Sequence, residues 1–410
     1  MLERLIYKKI EKHLKRKEFT IITGARQSGK TTILKQLYLD LRKSTENVWL
    51  VTFERENVLR DINVDAENIF KYTRRPPNPL TETMEEPPFY ILIDEVQYAD
   101  NPTRFLKYLY DTFAPNLKII ATGSSSFYLD SKFKDSLVGR KKIFELNTLN
   151  FEEFLIFKEK AHLRSELLQI QRSKEYISLV ERELLALLNE YFIYGGYPEV
   201  VLDQNVNDKV ERLEEIKNSY IKRDIMESRI ENEQKFYQLM VLLSGQIGNL
   251  LNKHELSKVL KLDIRTIDKY IFVLQKCFHI SLISPFHRNL RKELLKMPKV
   301  FFGDLGLRNV LLNNFTDLAY RSDNGALLEN YTFLRLKEKY NTSSIYFWRT
   351  ADMNEVDFVV ENKAYEVKFS IDSLRLAKYK KFIKTYPDIA LRFVSFNYSG
   401  DDNTVSVLKL

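Results

Sequence analysis

Residues Gly24-Ala25-Arg26-Gln27-Ser28-Gly29-Lys30-Thr31 fit the pattern G-x-x-x-x-G-K-[ST] at every fixed position. No other feature of the chain constrains its fold as much, because this pattern works only between a strand and a helix. The apolar run FTIIT precedes it and the helical stretch TTILKQLYLDLRK follows. Glycines allow successive backbone N–H groups to turn inward around a phosphate. The opening of the helix adds partial positive charge. Residues 24–31 together with Thr32 form the expected nucleotide-contacting set. In it Lys30 bridges the β- and γ-phosphates and the Thr31 hydroxyl ligates Mg²⁺. The implied ligand is ATP with Mg²⁺.

Such a loop needs an acid at the end of a second apolar strand. FYILIDE supplies it. Asp94 is the expected Mg²⁺ partner, and Glu95 the expected group that polarises the attacking water. A third apolar run, LKIIATG, ends at Thr122, Gly123 and Ser124, and a hydroxyl there is a candidate to sense the γ-phosphate or orient water; an ordinary strand-end turn is the alternative. Arg140, just before the next strand, is the candidate for stabilising transition-state charge, in cis or from a neighbouring subunit of a homo-oligomer. Arg26 is the runner-up, and a plain surface arginine is the alternative for each.

Between Phe19 and Asn147 short apolar runs alternate with helix-length spacers, the pattern of a parallel sheet covered on both faces. Residues 73–88 hold five of the eleven prolines and read as a surface loop. Residues 151–235 carry almost no strand signal and read as a helical lid or linker. Residues 236–300 read as three short helices and a hairpin, the outline of a winged helix-turn-helix. Its third helix would read DNA through Arg265, Thr266 and Lys269, and Arg291 and Lys292 would lie in the wing. Residues 240–300 hold eleven Lys and Arg against four Asp and Glu, within a chain of net charge +8. That surplus points to a polyanion partner; a solvated basic face or a winged helix used only for packing is the alternative.

The C-terminal stretch changes again, to helix, three strands, helix and strand. Asp357 lies on the middle strand. Glu366 and Lys368 lie two apart on the next, so they share a face. Glu329 sits on the preceding helix. Asp357 and Glu366 suit one Mg²⁺, and Lys368 is placed to steer or deprotonate water at a phosphate. A half-exposed strand of alternating charge would look similar.

Composition narrows the classes. With 44% hydrophobic and 29% charged residues, the 410-residue chain has enough apolar mass for several cores. No apolar run reaches the roughly 18 residues of a spanning helix, so no membrane role is expected. The N-terminal segment reads as a basic amphipathic helix and not as a signal peptide. One cysteine, Cys277, excludes an intrachain disulfide framework and fits a cytoplasmic location.

The segments GARQSGKTT, YILIDEVQ, IIATGSSS, LVGRKKIFELNTLNFEEF and YGGYPEV resemble the AAA-superfamily ATPases of archaea and bacteria. More narrowly, the chain is similar to the group that joins this module to a winged helix and a C-terminal domain. KMPKVFFGDLGLRN and GALLENY…EVDFVV…YEVKFS resemble that last domain, which is similar to the PD-(D/E)XK nuclease fold. The resemblance implies a multidomain α/β chain. It would comprise a P-loop parallel-sheet ATPase domain (1–150), a helical lid (151–235), a winged helix (236–300) and a small α/β nuclease-like domain (301–410). It carries Glu329, Asp357, Glu366 and Lys368 onto the nuclease-fold pattern, with the first three as metal ligands. The expected protein is an ATPase acting on DNA. The alternative is a nucleotide-switched DNA-binding regulator or scaffold whose nuclease fold is silent.

Overall fold

The computed structural model describes residues 3–80, 88–123, 137–173, 176–286, 297–350, 352–370, 375–396 and 403–410. It divides into two compact units. The first is essentially residues 1–148, and the second runs from Leu149 to Leu410 apart from Lys276–Phe278.

The first unit contains α1 (Tyr7–His13), β1 (Phe19–Thr23), α2 (Lys30–Arg42), β2 (Val48–Thr52) and α3 (Glu56–Val64). It continues with β3 (Phe89–Asp94), α4 (Pro102–Phe113), β4 (Leu117–Gly123) and β5 (Lys141–Glu145). The five strands form one parallel sheet in the order β2-β3-β4-β1-β5. Alternate residues point to opposite faces, which explains the continuous apolar runs. Ile21, Ile91, Ile93 and Ile119 join one core with Val58 and Ile62 of α3 and Phe105, Leu106 and Leu109 of α4. Ile22, Leu92 and Ile120 join the other core with Ile10 of α1 and Ile33, Leu34 and Leu37 of α2. β5 is an edge strand with a largely exposed face, which accounts for its weaker apolar pattern.

The second unit opens with helices: α5 (Phe151–Phe157), α6 (Ala161–Arg172), α7 (Glu181–Tyr194), α8 (Pro198–Leu202) and α9 (Val206–Glu227). Three more follow, α10 (Glu233–Ser244), α11 (Lys253–Leu260) and α12 (Ile264–Lys276), and then the antiparallel pair β6 (Ile280–Pro285) and β7 (Lys299–Phe302). Next come α13 (Leu305–Leu311), α14 (Asn324–Lys339), β8 (Tyr346–Arg349), β9 (Glu355–Val360), β10 (Lys363–Lys368), α15 (Lys380–Thr385), β11 (Ala390–Ser395) and β12 (Thr404–Ser406).

Seven strands form one mixed sheet, β12-β11-β10-β9-β8-β6-β7. β6 pairs with β7 on one side and runs parallel to β8 on the other. The hairpin of 236–300 and the strands beyond it therefore share a sheet, and no gap falls at residue 300. The helices of 151–235 belong to the same compact unit.

Two sequence segments hold this unit together. Asp304 caps α13 by accepting from Leu307 N at 3.0 Å, and it also accepts from Gly196 N at 2.8 Å. The Asn309 side chain donates to the Phe192 and Ile193 carbonyls at the end of α7. A Cβ on Gly196 would stand 2.2 Å from the Leu149 carbonyl oxygen, and one on Gly306 would stand 2.1 Å from that of Tyr194. YGGYPEV and GDLGLRN are thus a packing joint.

Candidate functional sites

The phosphate loop leaves the C-terminal end of β1 and enters α2. Its two glycines hold backbone angles that other residues resist, with φ of +152° at Gly24 and +95° at Gly29. A Cβ on Gly24 would meet the Leu146 carbonyl oxygen at 2.0 Å, so the loop is seated directly against the end of β5. Ser28 Oγ donates to the Ala25 carbonyl at 2.8 Å. Lys30 is buried and folded back on the loop. Its Nζ donates to the carbonyls of Gly24 and Ala25 at 3.0 and 2.8 Å. Arg26 is buried, while Gln27 and Thr32 are exposed.

The strand order sets the acid opposite the loop. β4 lies between β1 and β3, so a β4 side chain can reach both. Thr31 Oγ1 donates to Asp94 Oδ1 and Oδ2 at 3.1 and 3.0 Å. Thr122 Oγ1, on β4, donates to Asp94 Oδ1 at 2.5 Å and accepts from Glu95 N at 3.0 Å. Glu95 adopts a left-handed conformation (φ +58°), and its carboxylate accepts from the Gln97 side chain. A hydroxyl and a carboxylate converging here are hard oxygen donors of the kind Mg²⁺ selects, so Thr31 and Asp94 fit that ion.

The structure does not bring Arg140 to this loop. Its backbone carbonyl accepts from Phe19 N at the start of β1, whereas the loop leaves the end of β1. Five residues of strand put about 15 Å between those edges. Its guanidinium instead pairs with Asp111 of α4, Nε to Oδ1 at 2.6 Å. Ser124 lies outside the described residues.

Sequence reasoning missed two supports of this site, Gln97 and Arg4. Arg4 is buried, and its Nη1 donates to the Ser28 carbonyl at 2.5 Å and its Nη2 to the Asn147 carbonyl at 2.8 Å. Nothing in the basic N-terminal segment distinguishes Arg4 from its neighbours. Only folding shows it reaching the loop.

In the second unit, α12 buries Ile267, Tyr270, Ile271, Val273 and Leu274 and leaves Arg265 and Lys269 exposed. Asp263 accepts from both the backbone N–H and the hydroxyl of Thr266, at 2.9 and 2.7 Å. The Thr266 hydroxyl is thus committed to starting the helix. An isolated antiparallel bridge joins Leu250 to Lys299 of β7. Arg291 and Lys292 lie outside the described residues.

The C-terminal carboxylates converge, but on a lysine. Lys299 of β7 is 1% exposed, and its Nζ stands 2.8 Å from Glu329 Oε1, 2.6 Å from Glu355 Oε1 and 3.5 Å from Asp357 Oδ1. Burial pulls its pKa down, and Glu329, Asp357 and Glu355 together more than reverse this, so the ammonium is held charged. Glu355 also accepts from Arg349 Nη1 at 3.0 Å. Asp357 Oδ2 accepts from Val367 N at 2.8 Å across the strands. Glu366 Oε1 accepts from Tyr379 OH at 2.7 Å and from Lys368, whereas its buried Oε2 has no hydrogen-bond partner among the described residues. Burial, then Asp357, pushes Glu366 up to about 7. Burial pushes Glu329 up to about 8, with Lys299 pulling the other way.

The Lys299 ammonium thus lies against Glu329 and Asp357, two of the expected metal ligands. Among the described residues no three carboxylate, imidazole or thiol groups are grouped to hold a metal ion. Lys368 does share a face with Glu366, but it is spent on that carboxylate.

Comparison with known proteins fixes the first unit. Residues 16–155 match the model of an AAA domain. Residues 185–318 and 324–406 match two domains of unknown function, DUF8612 and DUF4143. An uncharacterized protein of Methanocaldococcus jannaschii, MJ1544, is 26% identical over 97% of this chain and 86% of its own length. An uncharacterized protein of Mycobacterium bovis is 22% identical over 96% of this chain and 79% of its own. Among solved structures, AMPPCP-bound DnaA from Aquifex aeolicus aligns with TM-score 0.29 at 17% identity, covering 66% of this chain and 87% of that one. The Aeropyrum pernix ORC2 protein aligns with TM-score 0.39 at 12% identity, covering 76% and 92%. Residues 16–155 thus combine the geometry of a phosphate loop with similarity to an AAA domain. Among the described residues no helix is long and apolar enough to cross a membrane.

Proposed function

We propose that the chain binds ATP with Mg²⁺, hydrolyses it, and acts on DNA through a winged helix formed by α10–α12 and the β6–β7 hairpin. The observation that carries this reading is the hydroxyl–carboxylate contact of Thr31 and Asp94 at the mouth of a complete phosphate loop. Residues 24–32 cradle the phosphates through backbone N–H groups. Lys30 exchanges its two carbonyl partners for phosphate oxygens. Thr31 and Asp94 hold Mg²⁺, which neutralises phosphate charge when bound. Glu95 orients the attacking water, with Gln97 and Thr122 fixing its position. Arg140 retains a part only in a neighbouring subunit of an oligomer.

The basic surplus of residues 240–300 and the exposed Arg265 and Lys269 support DNA as the partner. Arg291 and Lys292 complete that proposed surface. The single, buried Cys277 suits a cytoplasmic home. The test is ATP turnover by the purified chain, with and without duplex DNA. No turnover in either condition and no ATP binding would overturn the reading.

A second reading concerns the C-terminal carboxylates, and Lys299 favours it. A nuclease-like sheet whose acids are neutralised by a buried lysine works as a silent scaffold. Nicking of supercoiled DNA by the wild-type chain, lost in Asp357→Ala, would refute this reading.

A further inference from the structure

We infer that Lys299 is the built-in cation of the carboxylate cluster on β9, β10 and α14, and that it excludes a divalent metal ion from that cluster. The inference deepens the silent-scaffold reading and rests on it. ATP turnover is not involved.

Three acids reach the same ammonium: Glu329 at 2.8 Å, Glu355 at 2.6 Å and Asp357 at 3.5 Å. The lysine is 1% exposed, so water cannot replace these contacts. The ammonium also lies over the Phe347 ring, 5.5 Å from its centroid, a further attraction for a buried cation. Gly248 adds a steric reason for the arrangement. A Cβ there would stand 2.7 Å from Glu329 Oε2, so the glycine leaves room for the carboxylate that faces Lys299. The ammonium donates hydrogen bonds to Glu329 and Asp357 and forms an ion pair with Glu355. A divalent ion entering the cluster would need Glu329 and Asp357 to abandon that lysine. It would also bring like charge against a buried cation.

One donor is left over. Glu366 is 2% exposed, and its Oε2 has no hydrogen-bond partner among the described residues. Such an oxygen is a ready cation ligand, but one carboxylate oxygen alone does not hold Mg²⁺ or Mn²⁺ in a protein. Removing the ammonium changes the count. Glu329, Glu355 and Asp357 then lose the cation they share, and the position it held opens to a divalent ion.

The experiment titrates the full-length chain with MnCl₂, without nucleotide, and counts bound Mn²⁺ by electron paramagnetic resonance. Wild type, Asp357→Asn, Lys299→Met and Lys299→Met/Asp357→Asn are compared, and wild type and Asp357→Asn are assayed in parallel for nicking of supercoiled DNA. The expected result is no Asp357-dependent Mn²⁺ in wild type. Lys299→Met should gain one Mn²⁺, at least tenfold tighter than any wild-type binding, and lose it again in the double variant. Its melting temperature should rise on adding Mn²⁺. A folded Lys299→Met that gains no Mn²⁺ overturns the inference. If that variant does not fold, the wild-type arm decides. One Mn²⁺ that disappears in Asp357→Asn overturns the inference, and its absence supports it. Asp357-dependent Mn²⁺ without nicking would refute the inference alone. Asp357-dependent nicking would refute the scaffold reading with it.

Discussion

Thr31 places its hydroxyl against both carboxylate oxygens of Asp94, at 3.1 and 3.0 Å, although 63 residues separate them in the chain. Thr31→Ala should therefore weaken Mg²⁺-dependent ATP binding by roughly tenfold, about 1.4 kcal/mol. Thr31→Ser keeps the hydroxyl and should stay within about threefold of wild type, a shift of ~0.7 kcal/mol. Calorimetric titration of ATP with and without Mg²⁺ checks both. Equal losses in the two variants would show that the methyl group and not the hydroxyl matters.

Lys30→Ala removes the ammonium that sits on the Gly24 and Ala25 carbonyls, and tight ATP binding should be lost. Glu95→Gln should separate binding from turnover, since it spares the cradle and removes the group that orients water. Single-turnover hydrolysis with radiolabelled ATP reads the difference. Wild-type turnover in Glu95→Gln would remove that residue from the proposed chemistry.

Arg4 bridges the Ser28 and Asn147 carbonyls from inside the first unit. Arg4→Ala leaves both carbonyls without this donor, at a cost of about 1–3 kcal/mol each if they stay dry. Arg4→Lys has no fork with which to reach both. Both variants should melt several degrees lower and raise the KM for ATP more than they reduce kcat. A fall in kcat at constant KM would contradict a role in setting the loop.

For DNA the expected signature is salt dependence. Each neutralised phosphate adds about 0.9 to the slope of log K against log salt. Arg265→Ala combined with Lys269→Ala should lower that slope by roughly one to two units, and Arg291→Ala with Lys292→Ala should do the same. Fluorescence anisotropy on a labelled duplex between 50 and 300 mM salt (roughly the useful range) measures it. A slope unchanged in both double variants would leave α10–α12 as a packing module.

Asp323 supplies a pH prediction. Burial raises its pKa, but Arg321 and Arg308, both nearly fully buried, outweigh this and hold it below its ordinary 3.8. A carboxylate depressed in the fold stabilises it above that ordinary value and loses the contribution as pH falls below it. Denaturant unfolding should therefore weaken steadily from about pH 4 downward. Asp323→Asn should flatten that stretch and cost roughly 3 kcal/mol at neutral pH by leaving buried guanidinium charge. Parallel pH profiles in the two proteins would refute the assignment.

What could be read from the chain was what is local in it. The loop from Gly24 to Thr31 is contiguous, and Asp94 ends an apolar run, so both sites were legible. The distance of Arg140 from the loop of its own chain has a reason that is present in the sequence. A residue that precedes a parallel strand stands at the edge opposite to one that follows its neighbour. Lys299, Tyr379 and Arg349 reach the carboxylates from separate segments, and no spacing rule links a lysine at 299 to acids at 329, 355 and 357. Glu355 had no role until Lys299 and Arg349 were seen on either side of it. Asn252 caps α11 by accepting from Glu255 N, and a complete capping box stands at Asn150 and Glu153.

The pairing of β6 with β8 dictates how this protein can be cut. A fragment beginning after residue 300 would strip two strands from the sheet and uncover the backbone of Tyr346–Arg349, which carries Phe347 and Trp348. An uncovered strand rich in aromatic residues is a template for pairing with its own copies. Such a fragment should form oligomers where the full second unit does not, and its insolubility would reflect a missing neighbour and not a weak domain.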